Sequence, residues 1–164
     1  MSVTRVIAYL ADYPALIEPL AQWHWQQWGP LRPGDSPRAI AFLLRACCGR
    51  QGLPCTLIAL DGGQLLGSAT VLRQDMGIRA ALSPWLAGLW VRPDARRTGM
   101  GARLVHRAEA EAAALGHANL YLYMYTEDAE AFYQRLGWQC LERCSYRGKD
   151  VSVTVRALAK RQGH

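Results

Sequence analysis

Apolar residues recur every three or four positions in several stretches of this chain, which is the spacing of a helix with one buried face. Leu16, Leu20 and Trp23 show this spacing near the N-terminus and predict a helix that packs on a core. A proline two residues after Asp12 is typical of a first helical turn, and Gly29 is typical of a helix end.

Other stretches are typical of β-strands, because apolar residues alternate with polar ones or form short unbroken runs. Residues 85–91 are apolar throughout, which predicts a strand buried on both faces. Residues 61–64 and 147–149 contain glycine between two such stretches and predict hairpin turns. The predicted strands span residues 3–9, 55–60, 65–72, 85–91, 120–125, 138–146 and 150–158, and the predicted helices span 12–28, 37–50, 99–115 and 128–136.

The order of these elements is strand, two helices, three strands, helix, strand, helix and two strands. This order indicates one mixed α/β domain over residues 1–159, followed by a C-terminal tail at 160–164. The chain has 164 residues, 51% of them hydrophobic, so it can bury a core without support from a metal or a disulfide.

Composition narrows the function classes only a little. The net charge of +6 suits an anionic partner, but no nucleic-acid-binding motif accompanies it, so a nucleic-acid partner is not expected. No run approaches the roughly 18 apolar residues of a membrane span, and the N-terminus lacks the pattern of a secretion signal. We therefore expect a cytoplasmic protein without membrane contact.

The five cysteines are odd in number and lack both a CxxC motif and paired metal-ligand spacing. This pattern predicts reduced structural thiols and no metal site. Cys140 and Cys144 are four residues apart in a predicted strand, which would place both side chains on one face.

The segment after residue 91 carries the most informative pattern. A buried strand ends, the chain turns through Arg96 and Arg97, and a helix begins at Gly99 and Gly101. Unpaired amides at a helix N-terminus bind phosphate oxygens, and glycines allow close approach. The P-loop and dinucleotide fingerprints are both absent. The alternative interpretation is a plain helix start with two solvated arginines.

Two motifs in this order resemble the GNAT superfamily of N-acetyltransferases. Arg96-Arg97-Thr98-Gly99-Met100-Gly101 matches the family's signature of Arg or Gln, two residues, Gly, any residue, and Gly or Ala. The block 129–138, with Phe132-Tyr133 at its centre, is similar to the family's A-x-x-F-Y-x-x-x-G-F. The resemblance implies a mixed, mostly antiparallel sheet of about six to seven strands flanked by about four helices.

The resemblance also implies acetyl-CoA as the acyl donor, without a metal, and direct transfer to a primary amine of a small molecule or peptide. Tyr133 matches the family's tyrosine that protonates the leaving thiolate. The implied cofactor-binding residues are Leu89, Trp90 and Val91 along the pantetheine arm, Arg96, Arg97, Thr98, Gly99, Met100, Gly101 and Ala102 at the pyrophosphate, and Thr126, which stands where many relatives have Asn. The alternative is an acyl-CoA-binding sensor or interaction module that has lost catalysis.

The base and the acceptor stay open at this point. Relatives often present a glutamate from the central strand, but residues 84–91 contain no acid. The base candidates elsewhere are Asp75, Glu127, Asp128 and His24, and water is a further alternative.

On the acceptor side, Trp25 and Trp28 share a helix face that would rim an acceptor pocket or pack against the sheet. Tyr121, Tyr123 and Tyr125 are interpreted mainly as core. A homodimer is left open.

Overall fold

A computed structural model describes residues 5–159 of the chain. The predicted tail at 160–164 and the first two residues of the predicted strand 3–9 lie outside this range. Within it the strands are β1 Arg5–Tyr9, β2 Cys55–Asp61, β3 Gln64–Leu72, β4 Trp85–Val91, β5 Asn119–Met124, β6 Gln139–Tyr146 and β7 Lys149–Ala157, and the α-helices are α1 Ile17–Trp28, α2 Pro37–Ala46, α3 Met100–Ala114 and α4 Glu127–Arg135.

All seven strands of the described chain form one sheet in the order β1-β2-β3-β4-β5-β7-β6. Every neighbouring pair is antiparallel except β4 and β5, which run parallel. The predicted fold class is therefore confirmed as a mixed, mostly antiparallel sheet with four helices.

Helices cover both faces of this sheet. On one face Leu104 and Ala108 of α3 are fully buried in a cluster that also contains Leu57 of β2. On the other face Leu20 of α1 and Leu44 of α2 pack in a second cluster on β2 and β3. Truncating such a leucine to alanine costs about 2–5 kcal/mol of stability, so these helices are firmly attached to the sheet.

Two helix boundaries differ from the prediction. Tyr13, directly before Pro14, has φ −136° and ψ 59°, because a residue before proline is disfavoured in the helical region. Two short 3₁₀ turns therefore precede α1, which begins at Ile17. The second helix ends at Ala46 rather than Arg50, because Cys48 already forms a β-bridge with Cys55.

The prediction that Cys140 and Cys144 share a face is wrong. The register between β6 and β7 shifts between Cys140 and Glu142, so Cys140 pairs with Thr154 but Cys144 pairs with Val151. Because Thr154 and Val151 lie on opposite faces of β7, the two cysteines do as well.

Candidate active site

The centre of the site is a gap between β4 and β5. These strands pair at Trp85 and Tyr121, and no other residue of β4 pairs with β5 within the described range. On the opposite side β4 contains a bulge, since Ser68 faces Trp90 and Thr70 faces Ala87. The two strands therefore separate beyond residue 85. No strand of the described chain pairs with the β5 side of residues 89–91, where the Val91 carbonyl accepts a hydrogen bond from Arg96 Nε instead.

The bulge is built on Gly88, which has φ +60°. This backbone conformation is rare for residues with a side chain and ordinary for glycine. Ala87, Gly88 and Leu89 are only partly buried, so the prediction of a strand buried on both faces is wrong at its middle. These three residues line a cavity instead.

The turn after β4 presents unpaired amides. The backbone amides of residues 97–102 donate no hydrogen bond to any group within residues 5–159, and no side chain in that range caps the N-terminus of α3. Arg97 and Gly99 have φ +62° and +82°, which turns successive amides into a concave, anion-binding arrangement. A Cβ on Gly99 would have no heavy atom within 4 Å, so the space beside the turn is open.

Buried side chains on either side hold the turn in place. Ala95 and Met100 are each 2% exposed, whereas Arg97, Thr98 and Gly99 between them are exposed. A Cβ on Gly101 would lie 3.4 Å from Phe132 of α4, an ordinary contact distance.

Two further side chains close the turn from outside. Arg96 Nε donates to the Val91 carbonyl at 2.9 Å, and its Nη2 donates to Gln27 of α1 at 3.4 Å. The Thr98 hydroxyl donates to the carbonyl of Ala95. Ala102, in the first turn of α3, is partly buried. In this conformation Arg96 and Thr98 therefore shape the turn, while Arg97 is the side chain free to meet an anion.

Tyr133 lies on α4 and is 5% exposed. Its ring packs edge-on against Phe132 at 5.0 Å and against Trp138 at 5.5 Å between ring centres, and it lines the same cavity as the bulge. Burial raises the pKa of the Tyr133 hydroxyl. Thr126 caps α4 by accepting a hydrogen bond from the Ala129 amide at 3.2 Å, so its hydroxyl already has a structural partner.

A cavity of about 460 Å³ lies above the gap between β4 and β5. Trp28 lines it, whereas Trp25 is 39% exposed and packs beside Gly29 outside it. Tyr121, Tyr123 and Tyr125 all pack against the core cluster around Trp85, as the sequence predicted, and Tyr123 and Tyr125 line the cavity as well.

Two of the four base candidates reach this cavity. His24 is 7% exposed, and its Nε2 lies 2.9 Å from the Ser68 hydroxyl. Burial, with a smaller contribution from the positive charge of Arg32, lowers the pKa of His24 to about 4. Asp75 also lines the cavity, and burial raises the pKa of its carboxyl. Glu127 and Asp128, in contrast, are exposed in the first turn of α4.

Sequence reasoning missed Ser68 and the bulge at Gly88. A glycine inside an apolar strand is a signal of a bulge, but nothing in the spacing connects residue 24 to residue 68. No cluster of His, Cys, Asp and Glu suited to a metal ion occurs among residues 5–159. None of the helices in the same range is long and apolar enough to cross a membrane.

Solved structures of similar fold are numerous. An aminoglycoside 6'-N-acetyltransferase complexed with coenzyme A has a TM-score of 0.75 and 20% identity, covering 96% of this chain and 99% of that one. The aminoglycoside 6'-N-acetyltransferase from Enterococcus faecium has a TM-score of 0.72 and 19% identity over 96% and 99% of the two chains. The yncA protein from Salmonella typhimurium, solved with acetyl-CoA, has a TM-score of 0.72 and 15% identity over 98% and 97%.

The sequence comparisons give one match. A search of curated proteins found none, but the profile of the Acetyltransferase (GNAT) family matches residues 17–138. This range includes both motifs, the bulge and the cavity-lining part of α1. The chain therefore belongs to the GNAT family and is an acetyltransferase that takes its acyl group from acetyl-CoA.

Proposed function

We propose that this enzyme transfers the acetyl group directly from acetyl-CoA to a primary amine of a small molecule or peptide. One observation carries the proposal. The buried hydroxyl of Tyr133 and the unpaired part of β4 line one cavity, and the turn with free amides follows directly after that strand. A thioester and an amine can therefore meet beside a proton donor.

The donor occupies the gap and the turn in this proposal. Amides of residues 97–102 hold the pyrophosphate, and the Arg97 side chain adds charge-assisted hydrogen bonds. The pantetheine arm pairs with the open side of residues 89–91, where β5 has separated from β4. A backbone amide next to the bulge then polarises the thioester carbonyl.

Tyr133 supplies the proton in this proposal. A tyrosine hydroxyl is protonated at neutral pH, and burial raises the pKa of Tyr133 further. The hydroxyl therefore keeps its proton until negative charge develops on sulfur. Buried surroundings also make an uncompensated thiolate costly, so donation of this proton lowers the barrier to its departure.

The cavity favours an acceptor that joins one ammonium group to an apolar body. Its wall contains Trp28, Ile40, Leu43, Tyr123 and Tyr125, together with two acidic residues, Asp35 and Asp75. Arg32 lines the same cavity and opposes a second positive charge. The net charge of +6 on the protein also disfavours an acceptor with more than one positive charge.

Two measurements test this function. Acetyl-CoA should raise the melting temperature, because a ligand that binds only the folded state stabilises it. Thiol release should then be followed with 2-phenylethylamine, glycyl-phenylalanine and kanamycin, the last because similar folds include aminoglycoside acetyltransferases. We expect turnover to be highest with 2-phenylethylamine. Stabilisation without thiol release from any amine would favour an acyl-CoA-binding module that has lost catalysis.

A further inference from the structure

A row of hydrogen bonds connects α1 to the bulge of β4. His24 Nε2 lies 2.9 Å from Ser68 Oγ, and Ser68 Oγ donates to the Gly88 carbonyl at 2.9 Å. A serine hydroxyl has one proton, and a carbonyl oxygen accepts only. Because the one hydroxyl proton of Ser68 is donated to the Gly88 carbonyl, His24 Nε2 must be the donor to Ser68 Oγ. The lone pair of the imidazole then resides on Nδ1.

The position of Nδ1 is equally constrained. A Cβ placed on Gly88 would lie 3.3 Å from His24 Cε1 and 4.0 Å from Nδ1. The ring therefore packs its Cε1 and Nδ1 edge against Gly88, at a distance where a side chain on residue 88 would crowd it. No group among residues 5–159 donates a hydrogen bond to this nitrogen. His24, Gly88 and Tyr133 all line the same cavity.

We propose that His24 Nδ1 is the proton acceptor for the attacking amine and that Ser68 is the positioning residue that fixes its tautomer. This inference rests on the proposed function and supplies the base that β4, which has no acid, lacks. Of the four base candidates that the sequence leaves open, the proposal selects His24.

The amine nitrogen forms a bond to the acetyl carbon, and the carbon–sulfur bond breaks with its electron pair going to sulfur. The proton of the nitrogen passes to His24 Nδ1, and the hydroxyl proton of Tyr133 passes to sulfur. His24 then returns its proton to water and Tyr133 regains one from water. A free amine and a thioester thus become an amide and a thiol.

The environment of His24 is suited to this task. Burial first, and the charge of Arg32 second, lower its pKa to about 4, so the ring is neutral at neutral pH and its lone pair is available. A nitrogen that is bonding to a carbonyl carbon becomes positively charged and strongly acidic, so a weak base is sufficient to take its proton.

Asp75 is the competing base. Asp75 lies in the cavity, but no hydrogen bond within residues 5–159 connects it to the bulge or to Tyr133. His24, in contrast, is held beside Gly88 by two hydrogen bonds. Burial raises the pKa of the Asp75 carboxyl, and the charges of Arg32 and Arg147 oppose this shift only in part. A role in attracting the ammonium group suits this placement better than proton transfer at the bulge.

The test compares His24→Gln, Ser68→Ala, Asp75→Asn and Thr56→Ala. A glutamine amide can keep the donor to Ser68 but has no group that takes a proton at the Nδ1 position. Thr56→Ala is the matched control, because it removes a buried 3.0 Å hydroxyl pair with Thr70 between β2 and β3 and leaves His24 and Ser68 in place. The kcat for thiol release is measured with 2-phenylethylamine, kanamycin and glycyl-phenylalanine, and acetyl-CoA affinity by calorimetry.

We expect His24→Gln to lower kcat by about 100-fold or more, the usual share of a general base, with acetyl-CoA affinity unchanged. Ser68→Ala should lower kcat less, by about tenfold, because the ring is kept but its tautomer is no longer fixed. Thr56→Ala should keep the wild-type kcat. Asp75→Asn should raise the KM for the amine and change kcat little.

Nitrogen NMR of the imidazole gives a readout that does not depend on turnover. The wild type should carry its ring proton on Nε2 of His24, and Ser68→Ala should give a mixture of tautomers. A proton on Nδ1 in the wild type would overturn the proposal. So would a kcat for His24→Gln within about threefold of the wild type, or a loss of kcat in Asp75→Asn alone. Absence of thiol release by the wild type would instead remove the proposed function, and this inference with it.

Discussion

Replacing Gly99 with alanine isolates the contribution of the turn to donor binding. Gly99 has φ +82° at the residue before α3, a left-handed conformation that costs a residue with a Cβ about 1–2 kcal/mol. The new methyl group would have no protein atom within 4 Å, so no clash adds to this cost. For a protein of this size, each kcal/mol lowers the melting temperature by about 2–4 °C.

The effect on coenzyme A should exceed this loss of stability. The methyl group would project into the open space where the proposed pyrophosphate lies and would hold its oxygens away from the amides. Hydrogen bonds to a charged group contribute about 1.5–3 kcal/mol each, and 1.4 kcal/mol corresponds to a tenfold change in affinity. Losing one of them predicts a Kd for coenzyme A about 10- to 100-fold higher.

Gly116→Ala provides a matched control at the other end of the same helix. Gly116 follows the C-terminus of α3 with φ +90°, and a Cβ there also has no atom within 4 Å. Both variants should lose similar stability, but only Gly99→Ala should lose affinity for coenzyme A in calorimetry. Equal affinity of Gly99→Ala and wild type would refute the placement of the pyrophosphate at this turn.

Three other changes test the rest of the site. Tyr133→Phe should lower thiol release about 100-fold while acetyl-CoA affinity stays within about twofold, and an unchanged rate would remove the acid role. Gly88→Ala should lower kcat, because it strains a φ of +60° and places a methyl group 3.3 Å from His24. A kcat within about threefold of the wild type would contradict the proposed role of the close packing between His24 and Gly88. His24 should also make stability depend on pH. Its pKa is about 4 when folded and about 6.5 when unfolded, so between these values only the unfolded state binds the proton. The free energy of unfolding should therefore fall by about 3 kcal/mol as the pH decreases from 6.5 to 4. Urea unfolding of His24→Gln beside the wild type isolates this effect from Asp75 and Arg32, and equal pH dependences would refute it.

The parts of the fold that local sequence determines could be predicted. The glycines of the 61–64 and 147–149 turns adopt positive φ where hairpins need them, and the turn with free amides follows a strand of unbroken apolar residues. The two motifs, Arg96 to Gly101 and the block around Tyr133, are likewise contiguous in the chain. Short-range spacing was therefore sufficient to identify the family.

Features set by contacts between distant strands could not be predicted. The bulges at Gly88 and next to Leu141 depend on register with β3 and β7, and each changed a conclusion drawn from simple alternation. His24 and Ser68 are 44 residues apart and meet only because α1 packs across β3 and β4. Four base candidates looked equivalent in the sequence because burial and distance from the bulge, which separate them, are properties of the packed sheet.

The most direct test of the account is a reaction of the wild-type enzyme with acetyl-CoA and 2-phenylethylamine, with kanamycin and glycyl-phenylalanine in parallel. Free thiol is titrated, and the amide product is quantified by mass spectrometry. One amide should form for each thiol released, at a rate far above that of the enzyme-free mixture. Coenzyme A binding without amide formation from any of these amines would contradict it.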